Sequence, residues 1–549
     1  MDLQQQLETG RVLILDGAMG TELQRRGLDS GKPPEAMNLE APEMVTEIHR
    51  DYLKAGSDII QTNTFGGNRI KLERHGLGDK TEAINRRAVE LAREQSDQVL
   101  VSGSIGPTGK LMEPMGMMTF AEAYEVFAEQ ARILAGAGVD LINIETMTDL
   151  QEARSAVIAV KENTPLPVIC NLTYTENLTT ITGTDPRTAV AVFEALGVDV
   201  IGVNCSLGPE QMIEVVKELS RYTQLPISYQ PNAGQPVLED GETVFPMEAG
   251  VMADYAPDAV AAGAGIVGGC CGSTPAYIDL IASRLKDLKR TGKSPEKRAV
   301  VAGRRQTVDM AGDRPTPIVS PRLNYPEARG NLRDIIKEQV EAGARILKLG
   351  QADGVEDPEI FLKKALQLIH NLGDIPVVLD VDDPQLLEVG LQNFVGKPLI
   401  GLSGSDGEGQ TRLALARKYG AALLARKAAD NADQALEMSR KLEKQALDLG
   451  INQQDIIIEV RIAPDSSLQN YLRESLRALQ LIHTELGLKT ALPLRVADVF
   501  GQLKLTDRVK STLLAMAINT GVDLVIFDPT SKNLKETLSI ADQALSRVE

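Results

Sequence analysis

Tryptophan is absent from this chain, and all aromatic residues together make up 3% of it. Its cores must therefore be filled with Ala, Val, Ile and Leu, as in close-packed α/β proteins. Only four cysteines occur in 549 residues, and two of them, Cys270 and Cys271, are adjacent. Adjacent cysteines fall short of the separation that an unstrained bridge requires. No disulfide framework is expected, so a reducing cytoplasm and a metal-binding or catalytic use of the thiols are the better expectations. An excess of basic residues is also lacking. The net charge of −18 would repel a phosphate backbone, which argues against nucleic acid as a partner. No apolar run approaches the ~18 residues of a membrane span. The N-terminal stretch MDLQQQLETGRVLILDGAMG has no basic region followed by an apolar one, so it does not read as a signal peptide.

What is present is a long alternation. Short apolar runs begin at Val12, Asp58, Val99, Asp140, Pro167, Val198, Pro226 and Ala264. Segments of helical period, such as PEMVTEIHRDYLKAG and TFAEAYEVFAEQARILAGAG, lie between them. Nearly continuous Val/Ile runs suit strands buried on both faces, and strand–helix alternation implies parallel pairing. Eight such units are the content of a (β/α)₈ barrel, expected over residues 1–285. Residues 286–315 are basic and poor in apolar periodicity, and they read as an inter-domain linker lying partly on the surface. A second set of eight runs begins at Pro317, Ala344, Pro376, Pro398, Ala421, Asp455, Leu492 and Val522. The expected fold class is α/β, with two (β/α)₈ TIM barrels in tandem, the second over residues 316–549.

In such barrels the chemistry sits at the C-terminal ends of the strands. In the first half those ends carry Asp16, Thr62 and Asn63, Glu145, Asn171, Asn204 with Cys205, and Cys270 with Cys271. Three of the four cysteines thus fall on one rim, on the sixth and eighth strands. Zn2+ suits three thiolates with one exchangeable position. Neighbouring residues of a regular strand face opposite ways, so Cys270 and Cys271 can share a metal only where the strand has ended or kinked. Gly268, Gly269 and Gly272 permit that departure. A substrate thiol in the open position would lose its proton and attack an electrophilic methyl group. The competing reading takes these cysteines as small buried apolar residues, and Cys170, inside the fifth strand, is expected to be one.

With these residues in view, the first half resembles the homocysteine S-methyltransferase domain found in the N-terminal half of cobalamin-dependent methionine synthases. The motifs that carry the resemblance are LDGAMGTELQRRG, IIQTNTFGGN, SIGPTG, INIETM, GVNCSLGP and GGCCGSTP. The resemblance implies that Cys205, Cys270 and Cys271 hold zinc and that the homocysteine sulfur takes the fourth place, giving methionine. It further implies that the amino-acid end of homocysteine rests on the DGAMG turn and the Glu of IETM. Asp16 and Glu145 suit an ammonium group, the N–H groups of Gly17, Ala18 and Met19 suit a carboxylate, and Asn204 is placed to brace the site.

The second half resembles the pterin-binding barrel that follows this domain in the same family, in diverged form. Asn324 and Asp380 match the family's pattern, and Asp498 stands where an Asn is expected. Lys348, Gly401 and Glu459 replace an Asp, an Asn and an Asp respectively. Each unpaired buried group costs ~1–3 kcal/mol, so these changes argue against methyltetrahydrofolate as a ligand. The cobalamin module's Asp-x-His-x-x-Gly segment matches none of His49, His75, His370 and His483, which read as ordinary helix or loop residues. The favoured expectation is a methylated corrinoid, delivered in trans by a separate corrinoid protein to homocysteine. Three alternatives are a methyltetrahydrofolate-dependent enzyme with a separate corrinoid carrier, a direct sulfonium or betaine donor, and a non-catalytic zinc or thiol scaffold.

Overall fold

The structure is a computed structural model that describes residues 3–29, 31–96, 98–239, 242–290, 298–310, 315–323, 331–350, 355–402, 406–462, 468–494 and 506–546. The chain divides into two units, Met1–Glu296 and Lys297–Glu549. Among the described residues no helix is long and apolar enough to cross a membrane.

In the first unit the strands are β1 (Leu13–Ile14), β2 (Ile59–Gln61), β3 (Leu100–Ile105), β4 (Leu141–Met147), β5 (Val168–Leu172), β6 (Val200–Asn204) and β7 (Ile227–Gln230). A hairpin of β8 (Val237–Glu239) and β9 (Glu242–Val244) follows, then β10 (Ala264–Val267). The eight main strands are parallel in the order β1-β10-β7-β6-β5-β4-β3-β2. A parallel bridge from Leu15 to Ile59 links the two ends of this sheet. The expected first barrel is thus present; the β8–β9 hairpin was not expected.

Local chemistry explains where the helices start and stop. The helix Phe120–Ala137 opens on a capping box between Thr119 and Glu122 and closes on Gly138 at φ 99°. Asp149 caps Leu150–Asn163 by accepting from the backbone N–H groups of Gln151 and Glu152. Pro209 and Pro275 occupy first helical positions directly after the β6 and β10 loops.

Strand alternation sorts the inward side chains into layers of rising polarity. Lowest lies an apolar layer containing Leu13, Ile59, Leu100, Leu141, Ile169, Val200 and Ile266, with Leu3 of the N-terminal helix Leu3–Glu8 packed into it. Two residues further along the strands sit Gln61, Asn143 and Asn171. Asn171 Nδ2 donates to Asn143 Oδ1 at 2.8 Å, and Asn143 Nδ2 donates to Gln61 Oε1 at 2.5 Å. Above these come Ser104, Glu145 and Asn204. Gly202 belongs to the middle layer because a Cβ there would overlap Asn171 Oδ1 and stand 2.6 Å from Ser228 Cβ.

The second unit is a closed parallel barrel of β13 (Ile318–Leu323), β14 (Ile346–Leu349), β15 (Val377–Leu379), β16 (Leu399–Leu402), β17 (Ala422–Ala429), β18 (Ile456–Ile462), β19 (Lys489–Pro493) and β20 (Leu524–Ile526). The seventh of these begins three residues before the expected Leu492, because its first positions, Lys489 and Thr490, are polar.

The segment expected to be a surface linker is in part structured. Within it, β11 (Val300–Ala302) and β12 (Thr307–Asp309) form an antiparallel hairpin. Its Ala299, Val301, Val308 and Met310 lie in the same core as Val319, Ile346, Val378 and Leu399. The one-sided apolar alternation of this hairpin is short and lies in a basic stretch, which hid it from a reading by composition.

The layered interior predicts that Gly202→Ala lowers stability by about 1–3 kcal/mol, measured as a lower denaturant midpoint with an unchanged slope. An unaltered midpoint would contradict the polar layer as described.

Candidate metal centre

Three of the four cysteines come together. The sulfurs of Cys205, Cys270 and Cys271 all lie within 4.8 Å of one another. Cys170 is fully buried inside β5, and burial pushes its thiol up, as suits a core residue.

The backbone makes this convergence possible in two ways. Cys205 follows the last residue of β6 and adopts φ 61°, with Ser206 at φ 59°. Left-handed backbone at a non-glycine residue costs roughly 1–2 kcal/mol, and here it swings the thiol over the barrel mouth. Cys270 and Cys271 have left β10 and lie in a tight turn closed by Ser273 N–H donating to Cys270 O at 3.1 Å. Gly272 supplies φ 82° at the third position of that turn, where a type II turn requires a positive value. A Cβ at Gly272 would also overlap Phe245. A turn, unlike a strand, lets two consecutive side chains face one point. The end of β7 supports both loops: Gln230 O accepts from Cys205 N–H at 3.2 Å, and Pro231 O accepts from Cys270 N–H at 2.8 Å.

The trio shares protons unevenly. Hydrogen bonds from Cys270 and Cys271 pull the Cys205 thiol well down, while its contacts with Cys205 and Cys271 push the Cys270 thiol up. Such a cluster is short of positive charge, which a divalent cation supplies. Tetrahedral Zn–S bonds of about 2.3 Å put sulfurs about 3.8 Å apart, a spacing this trio can meet. The donor set therefore fits zinc.

The sulfurs border a cavity of about 410 Å³, within the range of small-molecule sites. Asp16, Gly17, Ala18, Met19, Gln61, Thr62, Asn63, Ser104 and Glu145 also line it. Asp16 Oδ2 accepts from Gln61 N–H at 2.8 Å, and its Oδ1 is buried with no hydrogen-bond partner. Glu145 Oε1 accepts from Ser104 Oγ at 2.5 Å, and Oε2 accepts from Asn204 Nδ2 at 3.2 Å. Asn204 is fully buried; its Oδ1 accepts from Thr146 N–H at 2.8 Å and its Nδ2 lies 3.9 Å from Cys270 Sγ. It thus braces a carboxylate and a thiol at once. Burial holds the Asp16 carboxyl well above its ordinary range and pushes Glu145 up to about 7. A cation entering between these acids would satisfy both.

One expected contact is already taken. The N–H of Ala18 donates to Ser273 Oγ at 3.2 Å, which leaves Gly17 and Met19, both lining the cavity, as the other N–H groups expected to serve a ligand. Asn171 sits below the cavity in the amide layer. Ser104 and Ser273 were not singled out in the sequence, although both lie in quoted motifs, SIGPTG and GGCCGSTP.

In the second unit, Asn324 and Asp498 lie outside the described residues. Asp380 is described, and its carboxylate is occupied. Lys348 Nζ lies 2.9 Å from Asp380 Oδ2, and Arg426 Nη1 donates to the same oxygen at 2.7 Å. Gly401 makes room for this, since a Cβ there would stand 3.2 Å from Arg426 Nη2 and overlap Asp380 Oδ1. Glu459 is likewise paired, with Arg461 Nε at 2.6 Å. Arg426 was missed in the sequence, although the inward alternation through Ala422 and Leu424 leads to it.

Residues 13–285 match the family model described as homocysteine S-methyltransferase. The chain is 30% identical over 476 residues to a methionine synthase of Mycobacterium tuberculosis, covering 79% of this chain and 39% of that protein. A methionine synthase of Mycobacterium leprae is also 30% identical, over 482 residues. The chain spans about two fifths of the length of these curated relatives. Among solved structures, the metallated form of an Escherichia coli homocysteine methyltransferase is 27% identical, with TM-score 0.46, covering 51% of this chain and 99% of that one.

The raised Glu145 pKa carries a stability signature in metal-stripped protein. Between its ordinary value of 4.5 and about 7 the folded state holds a proton that the unfolded state has lost, so stability falls as pH rises through this window. Glu145→Gln should shrink that fall, by on the order of 3 kcal/mol, in thermal melts taken from pH 4.5 to 8. An identical fall in the variant would show that this carboxyl is not the titrating group.

Proposed function

Residues 13–285 form a homocysteine S-methyltransferase domain, and on that premise we propose that this chain transfers a methyl group to homocysteine, giving methionine. The observation that carries the reading is the convergence of three sulfurs on a cavity that also holds two acids, one with an unpartnered buried oxygen. Cys205, Cys270 and Cys271 would hold zinc, which when bound favours thiolate over thiol and so makes the homocysteine sulfur nucleophilic at neutral pH.

The chain's own residues do the rest. Asp16 and Glu145 receive the substrate ammonium, which relieves the burial of both acids. The N–H groups of Gly17 and Met19 face the substrate carboxylate. Asn204 keeps Glu145 and Cys270 in register through its two contacts. The amide layer of Gln61, Asn143 and Asn171, its members bonded to one another, floors the cavity.

The methyl group would come from a methylated corrinoid presented in trans. The ion pairs of the second barrel favour this reading over one that includes methyltetrahydrofolate. Asp380, the acid that resemblance assigns to a pterin ring, is neutralised by Lys348 and Arg426. A pterin would have to displace both cations from Asp380, breaking a buried ion pair at a cost of several kcal/mol. Calorimetric titration with methyltetrahydrofolate should show no saturable heat, whereas micromolar binding would restore the folate-dependent alternative.

The proposal is tested by incubating zinc-loaded protein with homocysteine and methylcobalamin or a methylated corrinoid protein. Methionine should form, and Cys271→Ala should lose stoichiometric zinc and reduce the rate by more than about 100-fold. Zinc bound without methionine formation would point to the scaffold reading. Turnover with a sulfonium donor but none with the corrinoid would reassign the methyl source.

A further inference from the structure

The turn that carries two of the cysteines and the turn after β1 come from opposite ends of the first unit, and the buried hydroxyls of Ser273 and Tyr52 bridge them. Ser273 is fully buried. Its Oγ donates to Cys270 O at 2.6 Å and accepts from Ala18 N–H at 3.2 Å. This hydroxyl bridges the two turns, using both its donor and an acceptor lone pair.

The neighbourhood is shaped around this hydroxyl. A Cβ at Gly17 would come within 2.6 Å of Ser273 Oγ, and one at Gly269 would overlap it. Tyr52, also fully buried, has its hydroxyl 3.0 Å from Ala18 O and 3.3 Å from Ser273 O, two carbonyls that share its one proton. Below the latch, the pairing of β1 with β10 continues as Gly269 N–H donating to Asp16 O at 3.1 Å. The last strand-type link thus ends at Asp16. Beyond it, the side-chain links between the cysteine turn and the segment after β1 are those of Ser273 and Tyr52 and, from the helix that begins at Met19, Arg25 Nη2 donating to Gly272 O at 3.3 Å.

We propose that Ser273 is a positioning residue that sets the distance between the sulfur cluster and the turn receiving the amino-acid end of the substrate. The inference rests on the homocysteine reading above. A ligand held at both ends must match a fixed span, and one held at a single end need not. Ser273 therefore acts on ligands that reach both turns and is silent toward those that reach only the metal. It touches neither the sulfurs nor the reacting carbon, and its effect passes through the placement of Ala18 and Cys270.

The test compares two thiols on zinc-loaded full-length protein. Homocysteine reaches both turns; ethanethiol lacks the amino-acid end. Dissociation constants for each are measured by calorimetry on the parent, Ser273→Ala and Tyr52→Phe, with zinc content and thermal midpoint recorded. In Ser273→Ala, homocysteine affinity should fall about tenfold or more, ethanethiol affinity should stay within about twofold of the parent, and zinc should remain stoichiometric. Tyr52→Phe should shift the same selectivity ratio in the same direction, and it carries the test if Ser273→Ala does not fold. Equal losses for both thiols, loss of zinc from Ser273→Ala, or an unchanged ratio would each overturn the proposal. A parent protein that binds ethanethiol but not homocysteine would instead overturn the homocysteine reading.

Discussion

Everything distinctive about the first barrel follows from bringing three sulfurs to one point. Regular strands cannot do this with adjacent residues, because their side chains alternate between faces. The chain leaves strand geometry twice to achieve it, once through the left-handed pair Cys205 and Ser206 and once through the Cys270–Ser273 turn. The first departure is strained, since neither residue is glycine; the second is relieved by Gly272. Strain of this kind persists only where surrounding structure holds it. Here the end of β7 does so, accepting hydrogen bonds from both cysteine loops.

The interior beneath the cluster is graded to match. Apolar residues close the lower end of the barrel, amides bonded to one another form the middle, and carboxylates stand at the mouth. Two buried acids beside three thiols are costly without a compensating cation. That cost is a binding preference in another form: the cavity favours a ligand bringing a positive group to Asp16 and Glu145 and a divalent ion to the sulfurs. The second barrel resolves the same problem internally. Its acids Asp380 and Glu459 are matched by Lys348, Arg426 and Arg461 from the chain itself.

Much of this was legible in the sequence. Eight strand–helix units in each half stand out because strands buried on both faces read as continuous Val/Ile runs, and the barrel strands are found where those runs lie, save that the seventh of the second barrel starts earlier, at Lys489. The cysteines and the acids of the first barrel were legible too, since each lies near the C-terminal end of a strand run. Long-range pairing was not. The Ser273–Ala18 hydrogen bond joins residues 255 apart, and no local pattern announces it. Arg426 escaped notice because a cation inside a strand reads first as a solvent-facing residue. The β11–β12 hairpin was hidden by the basic residues around it, although Val301, Val308 and Met310 belong to the second core.

The most direct test of the account is a count of sulfur neighbours around the metal by zinc K-edge X-ray absorption. The account predicts stoichiometric zinc with three sulfur scatterers at about 2.3 Å, rising to four when homocysteine is added. Absence of bound zinc, or a sulfur count that stays the same with and without homocysteine, would contradict it.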